Sequence, residues 1–222
     1  VPLIVRMPDG AGAATVSEEL VSLLDLAPSM MRWAGIVPPS HLHGRPLEGS
    51  TPRESIVCAR DRCDETVDRI RSVRTKQFKY IRNFYPERPY MQFNAYKKKQ
   101  YPATSVLELW QQEGKLTEAQ QPFMAATRPE EELYDLVADP HEMKNLAKDP
   151  AHEATLLALR EGLDQWITES GDKGAIPESA EITDYARADS RKRFDEAMIE
   201  RGLSPDAGPE EHVAWWEKQL LE

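Results

Sequence analysis

The densest cluster of side chains that could bind a ligand is the charged run Arg-Asp-Arg-Cys-Asp-Glu at residues 60–65, which follows a short apolar segment. Arginine offers a planar set of N–H donors that fits sulfate or carboxylate, and Asp and Glu accept hydrogen bonds from sugar hydroxyls. A loop carrying Arg62, Asp64 and Glu65 at a strand end could therefore bind an anionic, hydroxyl-rich ligand. The same mixture of charges also suits a solvated strand edge held by ion pairs. The charge pattern leaves both interpretations open.

The thiols and histidines indicate no catalytic or metal site. Cys58 and Cys63 are the two cysteines, too few for a disulfide framework and without the Cys/His cluster of a zinc site. We expect Cys58 to be a buried strand residue. His41 and His43 have a His-x-His spacing that is common among metal ligands, but no carboxylate or third histidine follows nearby. Histidines on a surface loop are the favoured interpretation.

Four short strands are predicted to position the charged run, at 55–60, 68–74, 77–83 and 132–136. Residues 75–77 are a hairpin-length connection between two of them. A helix is predicted over 150–169, because Asp149 can cap it, Pro150 fits its first position and Gly171 can end it. Its apolar residues recur every three or four positions and form one face that can pack on a sheet: Leu156, Leu159, Leu163 and Trp166.

The rest of the sequence predicts further strands, helices and loops. They are a strand at 1–6, a helix from 17 to about 34 with a break near Pro28, a loop at 36–54, a long surface loop at 85–104, and short helices at 105–113 and 117–124. After Pro177 the chain is acidic and predicted to be helical, with Trp215 and Trp216 near its end. The first residue is Val1, and a strand already under way at that point predicts a piece of a longer protein.

The overall charge limits the classes of partner. The 222 residues carry a net charge of −10, whereas binding to nucleic acid or to an anionic membrane needs a basic face. No apolar run approaches the roughly 20 residues that span a bilayer. We therefore expect neither nucleic acid nor a membrane as a partner.

One stretch resembles the C-terminal subdomain of the sulfatases, a branch of the alkaline-phosphatase-like superfamily. It consists of Glu-Leu-Tyr-Asp-Leu at 132–136, Asp-Pro-His-Glu at 139–142 and Asn-Leu-Ala at 145–147. Further segments resemble family motifs and occur in the family's order, at 1–6, 22–36, 43–47, 69–81 and 166–172. The Arg-Ser-Val and Asp-Pro-His-Glu segments look most similar to heparan N-sulfatase (sulfamidase)-like members.

The resemblance implies an α+β fold, in which residues 36–177 form a four-stranded antiparallel sheet with a packed helix. It implies that residues 1–35 are an orphan strand and helix from the large α/β domain of the family, and that residues 178–222 are a helical, acidic extension. Loops of this subdomain help to line the substrate cleft in the family. The resemblance therefore favours Arg62, Asp64 and Glu65 as substrate-binding residues.

The resemblance also implies a parent enzyme that hydrolyses sulfate esters or sulfamates, on a sugar, with a formylglycine nucleophile and Ca²⁺. The family makes formylglycine from the cysteine of Cys-x-Pro-x-Arg, but Arg60 stands at the proline position after Cys58, and the motif should lie far upstream. The nucleophile and the Ca²⁺ ligands are therefore expected before residue 1. We expect this piece to bind no Ca²⁺ and to be inactive alone. By resemblance, the location is periplasmic, secreted or lysosomal.

Two alternatives remain open. The parent could be a phosphodiesterase or phosphonate hydrolase of the same superfamily, because the C-terminal signature does not contain the nucleophile. The chain could instead be a non-catalytic interaction module, in which Trp215, Trp216 and the acidic tail mediate assembly. Self-association of the chain is also expected, through an apolar stripe near its start: Leu20, Leu23, Leu24, Ala27 and Met31.

Overall fold

The structure is a computed structural model that describes residues 3–221, and it divides into two compact units, Val1–Ile56 and Val57–Glu222. The strands are β1 (Ile56–Arg60), β2 (Ile70–Arg74), β3 (Phe78–Asn83) and β4 (Glu131–Asp135). The helices are α1 (Leu26–Trp33), α2 (Ala95–Gln100), α3 (Pro102–Gln112), α4 (Gln121–Met124), α5 (Glu153–Ser170), α6 (Ala180–Glu200) and α7 (Pro209–Leu221). No helix within residues 3–221 is long and apolar enough to cross a membrane.

The four strands form one antiparallel sheet in the order β1-β2-β3-β4, as the family resemblance implies. Val73 lies opposite Tyr80, and Tyr80 lies opposite Leu133, so these three side chains share one face of the sheet. They pack with Leu156 and Leu163 of α5 into the main hydrophobic core. The apolar face that the residue spacing predicts for α5 is therefore the face that packs on the sheet.

The ends of α5 follow the local chemistry of the sequence. The Asp149 carboxylate accepts a hydrogen bond from the Ala151 N–H at 3.0 Å, and a short 3₁₀ turn at Pro150–His152 leads into the helix. Gly171 ends the helix in the left-handed conformation, with φ of 61°. Gly171 is confirmed as the end of the helix, whereas Asp149 caps the 3₁₀ turn that precedes α5 rather than α5 itself.

The acidic tail is helical, as predicted, and consists of α6 and α7. Phe194 and Met198 of α6 pack with Ala95 of α2 in a second, smaller core. The prediction of a surface loop at 85–104 is wrong at α2, which lies within that range. A helix of six residues is too short to be stable alone. Packing against α6 therefore stabilises it, and no local periodicity indicates it.

The first unit differs most from the prediction. Residues 3–6 of the expected strand have no strand structure, and Val1 and Pro2 lie outside the described residues. The expected helix is reduced to α1, preceded by a 3₁₀ turn at Leu23–Asp25. Pro28 causes no break, because it lies in the first turn of α1, where a backbone N–H has no intrahelical partner anyway.

A buried carboxylate organises this unit in place of an apolar core. Asp25 is 1% exposed and accepts hydrogen bonds from the Arg53 guanidinium and from the Ser22 and Arg45 N–H groups, both at 2.8 Å. Gly44 passes so close to the Leu24 carbonyl that a Cβ atom would overlap it. The loop after α1 is thus held by polar contacts, which no apolar pattern predicts.

Candidate functional site

A cleft of about 1090 Å³ lies in the second unit beside the loop that connects β1 to β2. Its walls come from four segments: this loop, residues 85–93, residues 172–178 and the first two turns of α6. The charged run of the sequence therefore lies on a concave surface rather than on a convex edge. A concave site of this size is where a ligand of a few sugar units can bind.

The loop between β1 and β2 is a tight turn. Cys63 and Thr66 exchange two backbone hydrogen bonds of 2.9 Å, and Asp64 between them has a φ of 52°. The Thr66 hydroxyl donates to the Phe93 carbonyl at 3.0 Å and ties the turn to the opposite wall. The turn is thus held from both sides, which fixes the direction of the side chains it carries.

The structure brings two of the three predicted binding residues into the cleft. Arg62 and Glu65 line it, whereas the Asp64 side chain is not part of its lining. Asp64 contributes its carbonyl, which accepts a hydrogen bond from Arg62 Nη1 at 2.7 Å. One oxygen of Glu65 accepts from the Ala95 N–H at 2.5 Å, at the start of α2. Asp64 therefore positions Arg62 rather than facing the cleft.

Glu178 also lines the cleft, although no motif in the sequence indicates it. The Arg62 Nε donates to one of its carboxylate oxygens, and Nη2 donates to the other at 3.2 Å. The hydrogen bonding between the two side chains lowers the pKa of Glu178 and raises the pKa of Arg62. The two residues are 116 positions apart, so no local pattern could pair them.

The floor of the cleft is a buried ion-pair network. Arg71 is fully buried and donates to Asp172 at 2.8 and 3.0 Å and to Asp61 at 2.9 and 3.1 Å. Burial opposes the charge of Arg71, but these hydrogen bonds outweigh it and raise its pKa. Gly174 packs directly on this network, since a Cβ atom would overlap the Arg71 guanidinium and lie 2.8 Å from Asp61 Oδ1. The network therefore fixes the start of the segment 172–178 against the sheet.

A second buried pair lies beside it. The side chains of Asp68 and Arg128 are fully buried and joined by two hydrogen bonds, and Gln92 Nε2 donates to Asp68 at 3.1 Å. Asp68 is thus occupied by its protein partners and is not free to bind a ligand. Removing either member of such a pair leaves an uncompensated buried charge, so its role is structural.

The accessible surface of the cleft combines cations with aromatic rings. Lys173 is exposed and has no ion-pair partner among residues 3–221. Phe93 is 49% exposed and packs edge-on against Phe194, with ring centroids 5.4 Å apart. The Arg88 guanidinium lies 4.1 Å from the ring centre of Tyr85. Such a surface can bind an oxyanion at Arg62 and Lys173 and can accept the apolar face of a sugar ring on Phe93.

The other candidates of the sequence lie away from this cleft. Cys58 is exposed, which corrects the prediction of a buried residue: β1 is an edge strand, and Cys58 points away from the face on which Val57 meets the core. His41 and His43 are exposed in a loop of the first unit. Within residues 3–221, no group of three or more His, Cys, Asp or Glu residues could hold a metal ion.

Comparison with known proteins gives consistent matches. A family model described as "N-sulphoglucosamine sulphohydrolase, C-terminal" matches residues 1–121. An "Ulvan-active sulfatase" of Formosa agariphila is 39% identical over 80% of this chain and 30% of its own length. The human "N-sulphoglucosamine sulphohydrolase" is 30% identical over 77% of this chain and 37% of its own length.

Among solved structures, a "2-O GAG sulfatase" is similar with a TM-score of 0.46 and 25% identity, over 69% of this chain and 26% of that one. This chain therefore spans about a third of the length of the curated relatives described here.

Proposed function

Because this chain belongs to the family of sulfatase C-terminal domains represented by N-sulphoglucosamine sulphohydrolase, we propose that its whole protein is a sulfatase that hydrolyses sulfate esters or sulfamates on a glycan. The names of the two relatives support this proposal, since one is an ulvan-active sulfatase and the other an N-sulphoglucosamine sulphohydrolase. The proposed location is periplasmic, secreted or lysosomal, where such glycans occur.

We assign to this chain the binding of the glycan rather than the bond cleavage. The observation that carries this proposal is the presence of Arg62 and Glu65 in one cleft of about 1090 Å³. Arg62 would bind a sulfate or carboxylate group, with Lys173 adding charge, and Glu65 would accept hydrogen bonds from sugar hydroxyls. Phe93 would support the apolar face of a ring.

Formylglycine would supply the nucleophile of the whole enzyme and Ca²⁺ its electrophile. The described residues do not fit a Ca²⁺ site, because they bring together no group of three or more His, Cys, Asp or Glu side chains that could hold the ion. Cys58 does not fit the nucleophile, because Arg60 replaces the proline of the family motif. We therefore place both functions in other parts of the enzyme and expect this chain alone to be inactive and to bind no Ca²⁺.

The test compares two substrates of the whole protein. Arg62→Ala and Glu65→Ala should each lower kcat/KM for a sulfated oligosaccharide by at least about tenfold, because a lost hydrogen bond to a charged group typically costs about 1.5–3 kcal/mol. Both should have little effect on a small aryl sulfate, which does not reach the loop. Asp64→Asn is the matched control, since it keeps the carbonyl that positions Arg62.

Thermal melts of all variants would exclude a folding defect, which would lower the activity on both substrates together. Wild-type activity of Arg62→Ala and Glu65→Ala on the oligosaccharide would mean that the loop is a solvated edge. Faster hydrolysis of a phosphonate monoester or phosphodiester than of any sulfate by the whole protein would favour the alternative enzyme class.

A further inference from the structure

We infer, given the proposed function of the cleft, that Glu178 occupies the anion-binding position of Arg62 and is displaced when a sulfate or carboxylate group of the glycan binds there. Glu178 would thus set which ligands Arg62 accepts, because only a group that replaces both of its hydrogen bonds can enter. Neutral sugars would leave the pair intact.

The geometry of Arg62 provides the first support. Its Nη1 is held by the Asp64 carbonyl at 2.7 Å, which fixes the orientation of the guanidinium. Its Nε and Nη2 remain, and both donate to the carboxylate of Glu178. A sulfate or carboxylate presents the same pair of oxygens to this edge. The ligand and Glu178 therefore compete for one position.

The exposure of the pair makes the exchange easy. The Arg62 side chain is 28% exposed and the Glu178 side chain 43% exposed, and both line the cleft. Exposed ion pairs change an equilibrium constant by no more than about fivefold. A buried pair such as Asp68 and Arg128, with both side chains fully buried, could not be exchanged in this way, because its separated charges would remain without water.

The motion can be confined to Glu178 and its neighbours. Asp172 and Gly174 fix the start of the segment on Arg71. Ser179 caps the start of α6, and its side chain accepts a hydrogen bond from the Ile182 N–H at 3.4 Å. Glu178 lies between these two fixed points, so rotation of its side chain can free Arg62 without moving α6.

The experiment is a calorimetric titration of the full 222-residue chain with N-sulfoglucosamine, and with N-acetylglucosamine as the uncharged probe. Glu178→Gln should bind N-sulfoglucosamine about two- to fivefold more tightly than wild type, because the competing ion pair is weakened. Glu181→Gln is the matched control: it removes the same charge three residues later, in the first turn of α6 and outside the cleft lining. Its affinity should equal that of wild type.

Arg62→Ala separates this inference from the proposed function. It should weaken binding of N-sulfoglucosamine by at least about tenfold in the wild-type and Glu178→Gln backgrounds. If it does so but Glu178→Gln and Glu181→Gln behave alike, or Glu178→Gln binds more weakly, Glu178 is not a competitor. If Arg62→Ala binds as wild type, or if no variant binds the probe, the proposed function of the cleft is wrong. All titrations are made at a temperature where thermal melts show every variant folded.

Discussion

Three arginines of the cleft and its floor, Arg62, Arg71 and Arg128, are each paired with a carboxylate but differ in burial, and burial separates their roles. The guanidinium groups of Arg71 and Arg128 are fully buried and stabilise the floor: Arg128 pairs with the fully buried Asp68, and Arg71 pairs with the largely buried Asp172 and with the exposed Asp61. Arg62 is partly exposed and can exchange its partner. The cost of removing water from a charge explains the difference, since a buried arginine cannot give up its carboxylate without leaving an unpaired charge in the interior.

At the residue scale, we predict that the buried His212 makes the stability of the protein depend on pH. It is 1% exposed, and neither ring nitrogen has a hydrogen-bond partner among residues 3–221. Burial, together with the charges of nearby Lys98 and Arg201, lowers its pKa to about 4, and Glu211 opposes this shift. The unfolded chain takes up this proton near the ordinary value of 6.5. The contribution of neutral His212 to the free energy of unfolding is therefore fully present above pH 6.5 and is lost as the pH falls toward 4. The loss between pH 7.5 and 5 is about 2 kcal/mol.

Urea unfolding at these two pH values would measure this loss, with the fluorescence of the neighbouring Trp215 and Trp216 as the signal. His212→Phe should remove most of the pH dependence. His141→Asn is the control, because His141 is exposed and its replacement should leave the dependence unchanged. Equal pH dependence in wild type and His212→Phe would show that His212 does not titrate as described.

At the scale of elements, replacing glycine by alanine should have opposite effects on the free energy of unfolding at two positions of the second unit. Gly162 lies within α5, and a Cβ atom there would meet nothing within 4 Å. Gly162→Ala should therefore raise the free energy of unfolding by about 0.5–1 kcal/mol, because glycine is a poor helix former. Gly174→Ala should lower it by about 1–3 kcal/mol, because the methyl group would displace the buried Arg71.

Chemical denaturation of the two variants measures both changes in one experiment. Gly174→Ala should also weaken the binding of N-sulfoglucosamine, since Lys173, which adds positive charge to the cleft, would shift with the segment, whereas Gly162→Ala should leave binding unchanged. If Gly174→Ala is as stable as wild type, the segment 172–178 is not held against Arg71.

At the scale of the whole molecule, the first unit exposes apolar side chains. Leu23 and Leu24 are 66% and 62% exposed, although burying one leucine typically contributes about 1.5–3 kcal/mol. We therefore predict that the chain self-associates through this unit. Sedimentation velocity should show a concentration-dependent increase in mass that Leu23→Glu/Leu24→Glu abolishes. Leu157→Glu, at a 49% exposed position of α5, should not abolish it, and a wild-type chain that stays monomeric would contradict the prediction.

Several features of this protein were predictable from the sequence by itself, because they depend on residues close together in the chain. The strands, the hairpin between β2 and β3, and the apolar face and glycine end of α5 each follow from local periodicity or turn chemistry. The family resemblance rests on similarly short motifs, and the family match confirms it.

The placement of Arg62 and Glu65 in a cleft depended on the tertiary structure. So did the pairing of Arg62 with Glu178 and of Arg71 with Asp172, at separations of 116 and 101 positions. The helix α2, the short α1 and the exposure of Cys58 were likewise outside what local patterns predict. Each depends on which distant segment packs nearby, because burial and charge pairing are set by neighbours in space rather than by neighbours in the chain.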